Sequence, residues 1–217
     1  MNPETIGALG VAAAFALGDW ASRARPESRA ASRLEYVCKP ATMVALIVVA
    51  VALDPAAGSD ARRWWFVAAL VFSLLGDVLL MLPHEQFVGG LAAFLVGHCC
   101  YVAGFWTHGP AAVPLAIAAA IVIVVIGALG TKILAAVRLR DRALAGPVAG
   151  YMVVIGAMLA TALAVGNPLA GVGAALFVAS DSLIAWDRFV AEVPGASVAI
   201  MVTYHLGQGL LVLSLLR

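Results

Sequence analysis

Eight long apolar stretches divide this sequence of 217 residues, and they restrict the fold more than any other feature. They span residues 4–21, 39–53, 64–82, 88–107, 111–131, 145–166, 169–187 and 197–216. A helix needs about 20 apolar residues to cross a bilayer, and its backbone hydrogen bonds must be satisfied within the segment. The sequence therefore predicts an all-α polytopic membrane bundle of eight transmembrane helices, forming a single domain over residues 1–217.

The composition excludes several classes of function. Hydrophobic residues make up 64% of the chain and charged residues 12%, and the net charge is +1. A nucleic-acid surface would need a basic patch, which these numbers do not provide. We therefore expect membrane lipids and small molecules as partners, and no nucleic acid. The three cysteines, Cys38, Cys99 and Cys100, are interpreted as core packing residues.

Basic residues are divided unequally between the two ends of the predicted bundle. Ten fall at the end that follows odd-numbered stretches and three at the other end. Lys and Arg are enriched in cytoplasmic loops. We therefore expect a multi-pass protein of a bacterial inner (plasma) membrane with both termini outside. The ten residues are Arg23, Arg25, Arg29, Arg33, Lys39, Lys132, Arg138, Arg140, Arg142 and Arg188.

Polar side chains interrupt several of the apolar stretches at similar predicted depths. A charged group at the bilayer centre costs at least about 2.5–3.5 kcal/mol, so such groups usually face the bundle interior and mark a site. We predict that these residues line one internal cavity, and hydrogen bonding between helices is the alternative for each. They are Asp19, Lys39, Asp77, His98, Asp181, Tyr204, His205 and Gln208.

A weak internal repeat relates the two halves of the chain. Residues 75–80 resemble residues 179–184, and each segment is followed by a stretch that contains a histidine. Four helices separate the two copies, so the halves would be parallel and related by an axis along the membrane normal. The repeat predicts two four-helix halves that bring Asp77 and Asp181 within reach of one another.

Other chemistries are less well supported. The sequence has no acyl-serine, zinc-protease, phosphate-loop or dinucleotide-binding motif. The set Asp77, His98, Asp181 and His205 offers ligands for zinc or manganese, but they are scattered singly, so no metal is expected. A proton-coupled transporter is the main alternative function, because buried Asp and His residues also form proton relays. Its helices are often broken, and the stretches here carry no proline at mid-helix.

Five short segments, taken in order, resemble the YhhN-like family of membrane proteins. They are Lys39-Pro40, residues 72–77 (F-S-L-L-G-D), 87–101 (F-x-x-G-x-x-x-F-x-x-x-H-x-x-Y), 177–181 (F-x-x-S-D) and 204–208 (Y-x-x-x-Q). That family includes lysoplasmalogenases, which cleave the vinyl ether bond of lysoplasmalogens. The products are a fatty aldehyde and a glycerophosphoethanolamine or glycerophosphocholine head group. The resemblance implies that Asp77 and Asp181 are a catalytic pair acting on a lysophospholipid.

The chemistry of vinyl ethers agrees with that implication. Their acid hydrolysis begins with protonation of carbon, so it needs a neutral general acid and a nearby carboxylate that stabilises the resulting cation. Two aspartates close together at low dielectric do not both ionise easily, and one would keep its proton. No cofactor is expected. Lys39 would hold the phosphate as a point charge. The remaining polar residues, His98, Tyr101, Ser180, Tyr204, His205 and Gln208, are predicted to contact substrate.

Overall fold

The computed structural model describes residues 1–24, 29–82 and 86–217, without the side chains of residues 29–32. Arg25 and the side chain of Arg29 lie outside the described part. Eight long helices and two short 3-10 helices, Arg142–Leu144 and Ser214–Leu216, form this part of the chain. The long helices are α1 (Pro3–Arg23), α2 (Arg29–Ala52), α3 (Asp60–Met81), α4 (Phe87–Trp106), α5 (Ala112–Arg140), α6 (Ala145–Ala164), α7 (Pro168–Phe189) and α8 (Ala196–Leu213). All eight are long and apolar enough to cross a membrane, which confirms the predicted fold class.

Two of the helices start at asparagine caps. The side chain of Asn2 accepts a hydrogen bond from the backbone N–H of Thr5 at 2.8 Å. The side chain of Asn167 accepts one from the backbone N–H of Leu169 at 3.0 Å. A proline follows each asparagine, and its fixed backbone angle suits the first helical turn. These local signals set where α1 and α7 begin.

The second helix is longer than the sequence analysis predicted. The apolar stretch begins at residue 39, but α2 begins at Arg29. The added turns carry charged groups such as Glu35, which pairs with Arg23 of α1 at 2.8 Å. A hydropathy pattern misses such turns because they extend past the hydrocarbon region. Pro40 consequently lies inside α2, so the expectation that no stretch carries a mid-helix proline was wrong.

The helices pack as four consecutive hairpins, α1–α2, α3–α4, α5–α6 and α7–α8. Further contacts join α2 to α3, α4 to α6, α6 to α7, and α8 to both α1 and α2. These contacts close a ring. The α2–α8 and α4–α6 contacts are equivalent under the predicted relation between the two halves. The halves differ in their first helices, because α1 packs on α8 whereas α5 packs on α7.

Both chain termini lie at the same end of the bundle. The side chain of Asn2 donates to the carbonyl of Ala52 at 3.1 Å, and the backbone N–H of Ala56 donates to the carbonyl of Leu215 at 2.9 Å. At the other end, Arg23 donates to the hydroxyl of Ser197 at 2.9 Å. An even number of crossings requires this arrangement. We call the end that holds Arg23 the basic end, because the larger share of Lys and Arg falls there.

Helices α7 and α8 approach closely where glycines face each other. A Cβ atom added to Gly173 would lie 2.9 Å from the backbone oxygen of Gly207 and 3.0 Å from the backbone nitrogen of Leu211. Only a hydrogen atom fits in that space. Small residues permit close helix approach in membrane proteins.

The three cysteines do not share one role. All are free thiols, and Cys38 and Cys100 are buried. Cys99 is exposed on the outside of α4, so its interpretation as a core packing residue was wrong. It differs from Cys100 because adjacent residues on a helix point about 100° apart.

Candidate active site

Asp181 forms a hydrogen-bonded group with two side chains from other helices. The hydroxyl of Tyr151, on α6, donates to Asp181 Oδ2. His98 Nε2, on α4, lies 3.3 Å from the same oxygen and 2.8 Å from the Tyr151 hydroxyl. Three helices therefore meet at one carboxylate oxygen. His98 is buried, and 14% of the Asp181 side chain remains exposed.

The Asp181 group opens onto an apolar cavity between α4, α5, α6 and α7. Both Tyr151 and Asp181 line it, together with alkyl and aromatic side chains that include Leu91, Phe94, Ile126, Ile155 and Phe189. Both contacts from Tyr151 and His98 reach Asp181 Oδ2. Within the described residues, no group donates a hydrogen bond to Oδ1. This oxygen is also not one of the fully buried polar atoms without a partner, so part of its surface is accessible. Asp181 Oδ1 is thus the oxygen available to a molecule in the cavity.

Asp77 belongs to a second group, which is fully buried. Lys39 Nζ, from α2, lies 3.0 Å from Asp77 Oδ1. The hydroxyl of Tyr204, from α8, donates to Asp77 Oδ2 at 2.7 Å. The Lys39 and Asp77 side chains are 6% and 1% exposed. The charge of this carboxylate is therefore compensated directly by an ammonium group.

A phenylalanine links the two groups. The ring of Phe177, on α7, lies 4.7 Å from the ring of His98 and 5.3 Å from the ring of Tyr204, measured between centroids. The cavity at Asp181 is not lined by Asp77, Lys39 or His98. The prediction that one cavity would be lined by both aspartates and these two residues is therefore wrong for this cavity. Packed aromatic rings lie between the two groups instead.

Four other predicted site residues lie away from the cavity. The Tyr101 hydroxyl donates to Gln208 Oε1, which forms a buried contact between α4 and α8. The Ser180 hydroxyl donates to the carbonyl of Ile200 at 3.1 Å and joins α7 to α8. His205 accepts a hydrogen bond from Trp20 on the far side of the bundle. These side chains hydrogen-bond between helices, which was the alternative for each.

Tyr151 is the site residue that the sequence analysis missed. It lies in an apolar stretch and carries no charge, so the sequence gives no signal of a buried ionisable group there. It lies shortly after Pro147, in the first turns of α6. A tyrosine near a helix end is also common at the membrane interface, so its position alone does not indicate a site. Its contact with Asp181 depends on how α6 packs against α7, and the sequence does not specify that packing.

A protein site for a metal ion usually supplies at least three ligands in one place. Among the residues that the structure describes, no three His, Cys, Asp or Glu side chains are close enough together to hold one. His98 and Asp181 lie 3.3 Å apart, and the third group beside them is the hydroxyl of Tyr151. The arrangement is suited to proton transfer between hydrogen-bonded groups.

A ring of apolar helices around two aspartates, of which Asp77 is buried and Asp181 faces an apolar cavity, defines a multi-pass membrane protein with carboxyl groups in its interior. The chain belongs to the YhhN family, whose sequence model matches residues 34–215. This finding confirms the resemblance drawn from the five segments.

Curated relatives of the chain are named as enzymes. It is 39% identical over 149 residues to lysoplasmalogenase TMEM86B of Homo sapiens, covering 69% of this chain and 62% of the human protein. It is 34% identical over 180 residues to lysoplasmalogenase TMEM86B of Rattus norvegicus, covering 83% and 71%. It is 33% identical over 171 residues to the lysoplasmalogenase of Mycobacterium tuberculosis, covering 76% and 66%. The match thus spans less than two thirds of the human protein's length, and no solved structure matches the chain.

Proposed function

We propose that this protein is a lysoplasmalogenase, which hydrolyses the vinyl ether bond of a lysoplasmalogen within the membrane. The observation that carries the proposal is the position of Asp181, which has one free carboxyl oxygen on the wall of an apolar cavity. The names of the relatives support it, because three from mammals and a mycobacterium describe this activity. The products are a fatty aldehyde and a glycerophospho head group.

The substrate would lie in the cavity with its head group at the basic end. On α7 the cavity lining runs from Val178 to Phe189, about 16 Å along the helix axis. At the basic end, the guanidinium of Arg188 lies 4.0 Å from the ring centre of Phe87, which also lines the cavity. Lys39, which was predicted to hold the lipid phosphate, is buried against Asp77 and does not line the cavity.

Asp181 would act as the general acid. In the neutral form it transfers a proton from Oδ1 to the carbon of the double bond that does not carry oxygen. The resulting oxocarbenium ion lies beside the newly formed carboxylate, which stabilises the positive charge. Water adds to the charged carbon and gives its proton back to Asp181. The hemiacetal that forms then breaks into the aldehyde and the glycerol hydroxyl, so one water is consumed per bond cleaved.

Asp77 would act as a positioning residue. Its carboxylate fixes Lys39 and Tyr204, and Tyr204 packs through Phe177 onto His98. In this proposal both members of the predicted aspartate pair are required, but only Asp181 touches the substrate. No nucleotide, redox cofactor or metal takes part in the steps described.

A substrate panel tests the activity. Purified protein is incubated with lysophospholipids that differ only in an ester, alkyl ether or vinyl ether linkage, and aldehyde release is measured. We expect release from the vinyl ether alone, and a decrease of about 10²-fold or more for Asp181→Asn, which keeps the shape but removes the acidic proton. Asp60→Asn is the matched control, since Asp60 is 73% exposed at the opposite end. Wild-type turnover by Asp181→Asn would refute the assigned role.

We further propose that the basic end faces the cytoplasm and that both termini lie outside, in a bacterial inner membrane. The excess of Lys and Arg at that end supports this orientation. Reporter fusions at Arg140 should read as cytoplasmic, and fusions at Asp60 and after Arg217 as external. A cytoplasmic C-terminus would contradict the orientation.

A further inference from the structure

A serine lies next to Asp181 on the wall of the apolar cavity. Ser182 is among the residues that line this cavity, and it is partly exposed. The other polar side chains in the described lining are Tyr151 and Asp181, which are hydrogen-bonded to each other. The rest of the lining is apolar. Ser182 is therefore the polar group of the cavity that the proposed function leaves without a role.

Asp181 and Ser182 reach the cavity from the same face of α7. Val178, Ala185 and Phe189 line the cavity at spacings of i, i+7 and i+11, which form a stripe along one face of a helix. Asp181 and Ser182 are at i+3 and i+4 of the same pattern, on either side of the stripe. A molecule lying along this stripe would therefore contact both side chains.

The hydroxyl of Ser182 is available to a bound molecule. A hydroxyl inside a helix often donates to the carbonyl one turn earlier, as Thr42 does to Cys38 at 2.8 Å. Within the described part of the chain, Ser182 Oγ makes no such hydrogen bond and has no other partner. It is also not one of the fully buried polar atoms without a partner, so part of its surface is accessible. Binding would give this hydroxyl the partner that it lacks.

Ser182 is nearer than Asp181 to the basic end of the bundle. Helix α7 runs towards that end, so Ser182 lies about 1.5 Å further along its axis. In the proposed binding mode the head group lies at the basic end and the double bond lies at Asp181 Oδ1. A lysophospholipid has a free hydroxyl group on the central carbon of its glycerol, between the ether oxygen and the head group. This hydroxyl would then lie on the Ser182 side of the reacting double bond.

We propose that Ser182 hydrogen-bonds the free glycerol hydroxyl of the substrate and thereby determines specificity for lysophospholipids. The proposal rests on the proposed function, because that function sets where the glycerol lies. A phospholipid with two chains has no hydroxyl on this carbon, so it cannot donate a hydrogen bond to Ser182. A site that binds a substrate hydroxyl discriminates against analogues without it, because a polar group of the site then loses its partner. Ser182 would thus help the protein to select a lysophospholipid from the two-chain lipids around it.

A binding experiment with a matched pair of lipids tests the proposal without turnover. Both are saturated alkyl ether lysophospholipids, which have no double bond to protonate, and one of them carries hydrogen in place of the central glycerol hydroxyl. Their affinities are measured by displacement of a fluorescent lysophospholipid from the protein in lipid nanodiscs. We expect the wild-type protein to bind the hydroxyl compound about 3- to 10-fold more tightly, which is the effect of one hydrogen bond, and Ser182→Ala to bind both equally. Equal binding by the wild-type protein, or an unchanged preference in Ser182→Ala, would overturn the proposal.

The corresponding pair of vinyl ethers extends the test to catalysis. Ser182→Ala should lower kcat/KM for the lysoplasmalogen by about 3- to 10-fold and leave kcat/KM for the analogue without the hydroxyl unchanged. An equal decrease for both would mean that the serine acts on folding or on the attacking water, and would overturn the proposal. Ser214→Ala is the matched control, because the Ser214 hydroxyl donates to the carbonyl of Leu211 at 2.6 Å, away from the cavity. If the binding preference is found but the vinyl ether is not hydrolysed, only the proposed function is refuted.

Discussion

Replacing Tyr151 with phenylalanine removes one hydroxyl group from the Asp181 group and keeps the ring that packs against His98. When Asp181 gives its proton to the substrate, it becomes a carboxylate, and the Tyr151 hydroxyl already donates to Oδ2. A hydrogen bond to a charged group contributes about 1.5–3 kcal/mol, and the charge is present in the transition state but not before it. We therefore expect kcat to fall by about 10- to 150-fold for Tyr151→Phe.

The KM for the vinyl ether substrate should change little, because the hydroxyl acts on the developing carboxylate and not on the lipid chain. Aldehyde release over a range of substrate concentrations separates the two constants. Tyr36→Phe is the matched control, since Tyr36 is half-exposed and its hydroxyl donates at 2.7 Å to the carbonyl of Met81. A Tyr151→Phe variant with kcat within twofold of wild type would refute the role of this hydrogen bond, as would a rise in KM with unchanged kcat.

Two further predictions concern stability and are measured as shifts in thermal unfolding in detergent. Lys39→Met leaves the buried Asp77 carboxylate without its cation and should destabilise the protein by about 3 kcal/mol or more. Adding Asp77→Asn should restore most of that stability, and a double variant no more stable than Lys39→Met would contradict this. Gly173→Ala places a methyl group against the backbone of α8 and should cost about 1–3 kcal/mol, whereas Gly10→Ala, with open space around it, should be neutral or slightly stabilising. Equal unfolding temperatures for the two alanine variants would show that α7 and α8 can separate at no cost.

The number and order of the helices were predictable from the sequence, because lipid allows few ways to satisfy backbone hydrogen bonds. Helix ends were less predictable. At α2 the helix continues about ten residues past the apolar stretch to Arg29, since charged side chains are solvated beyond the hydrocarbon region. The structure buries Asp77 and leaves 14% of the Asp181 side chain exposed, and the catalytic roles of both stay predictions.

The partners of the aspartates were not predictable, because they come from helices distant in sequence. Lys39 was expected to bind phosphate, and its pairing with Asp77 follows from the packing of α2 on α3. Tyr151 gave no signal in the sequence, since an uncharged residue near a helix end has an ordinary explanation at the interface. Side-chain contacts between helices depend on rotation about each helix axis, and an all-round apolar helix such as α6 does not define that rotation.

The two aspartates occupy equivalent frameworks with different partners, and this difference explains why they would have different roles. Asp77 is contacted from α2 and α8, and Asp181 from α6 and α4, which are the corresponding helices of the two halves. In the first half α2 supplies Lys39, so the carboxylate is neutralised and sealed in the bundle. In the second half α6 supplies Tyr151, a neutral donor, and His98 of α4 lies 3.3 Å from the same carboxyl oxygen. Asp181 is also the one of the two aspartates that lines the apolar cavity, so in the proposed function it is the one that gives its proton to the vinyl ether.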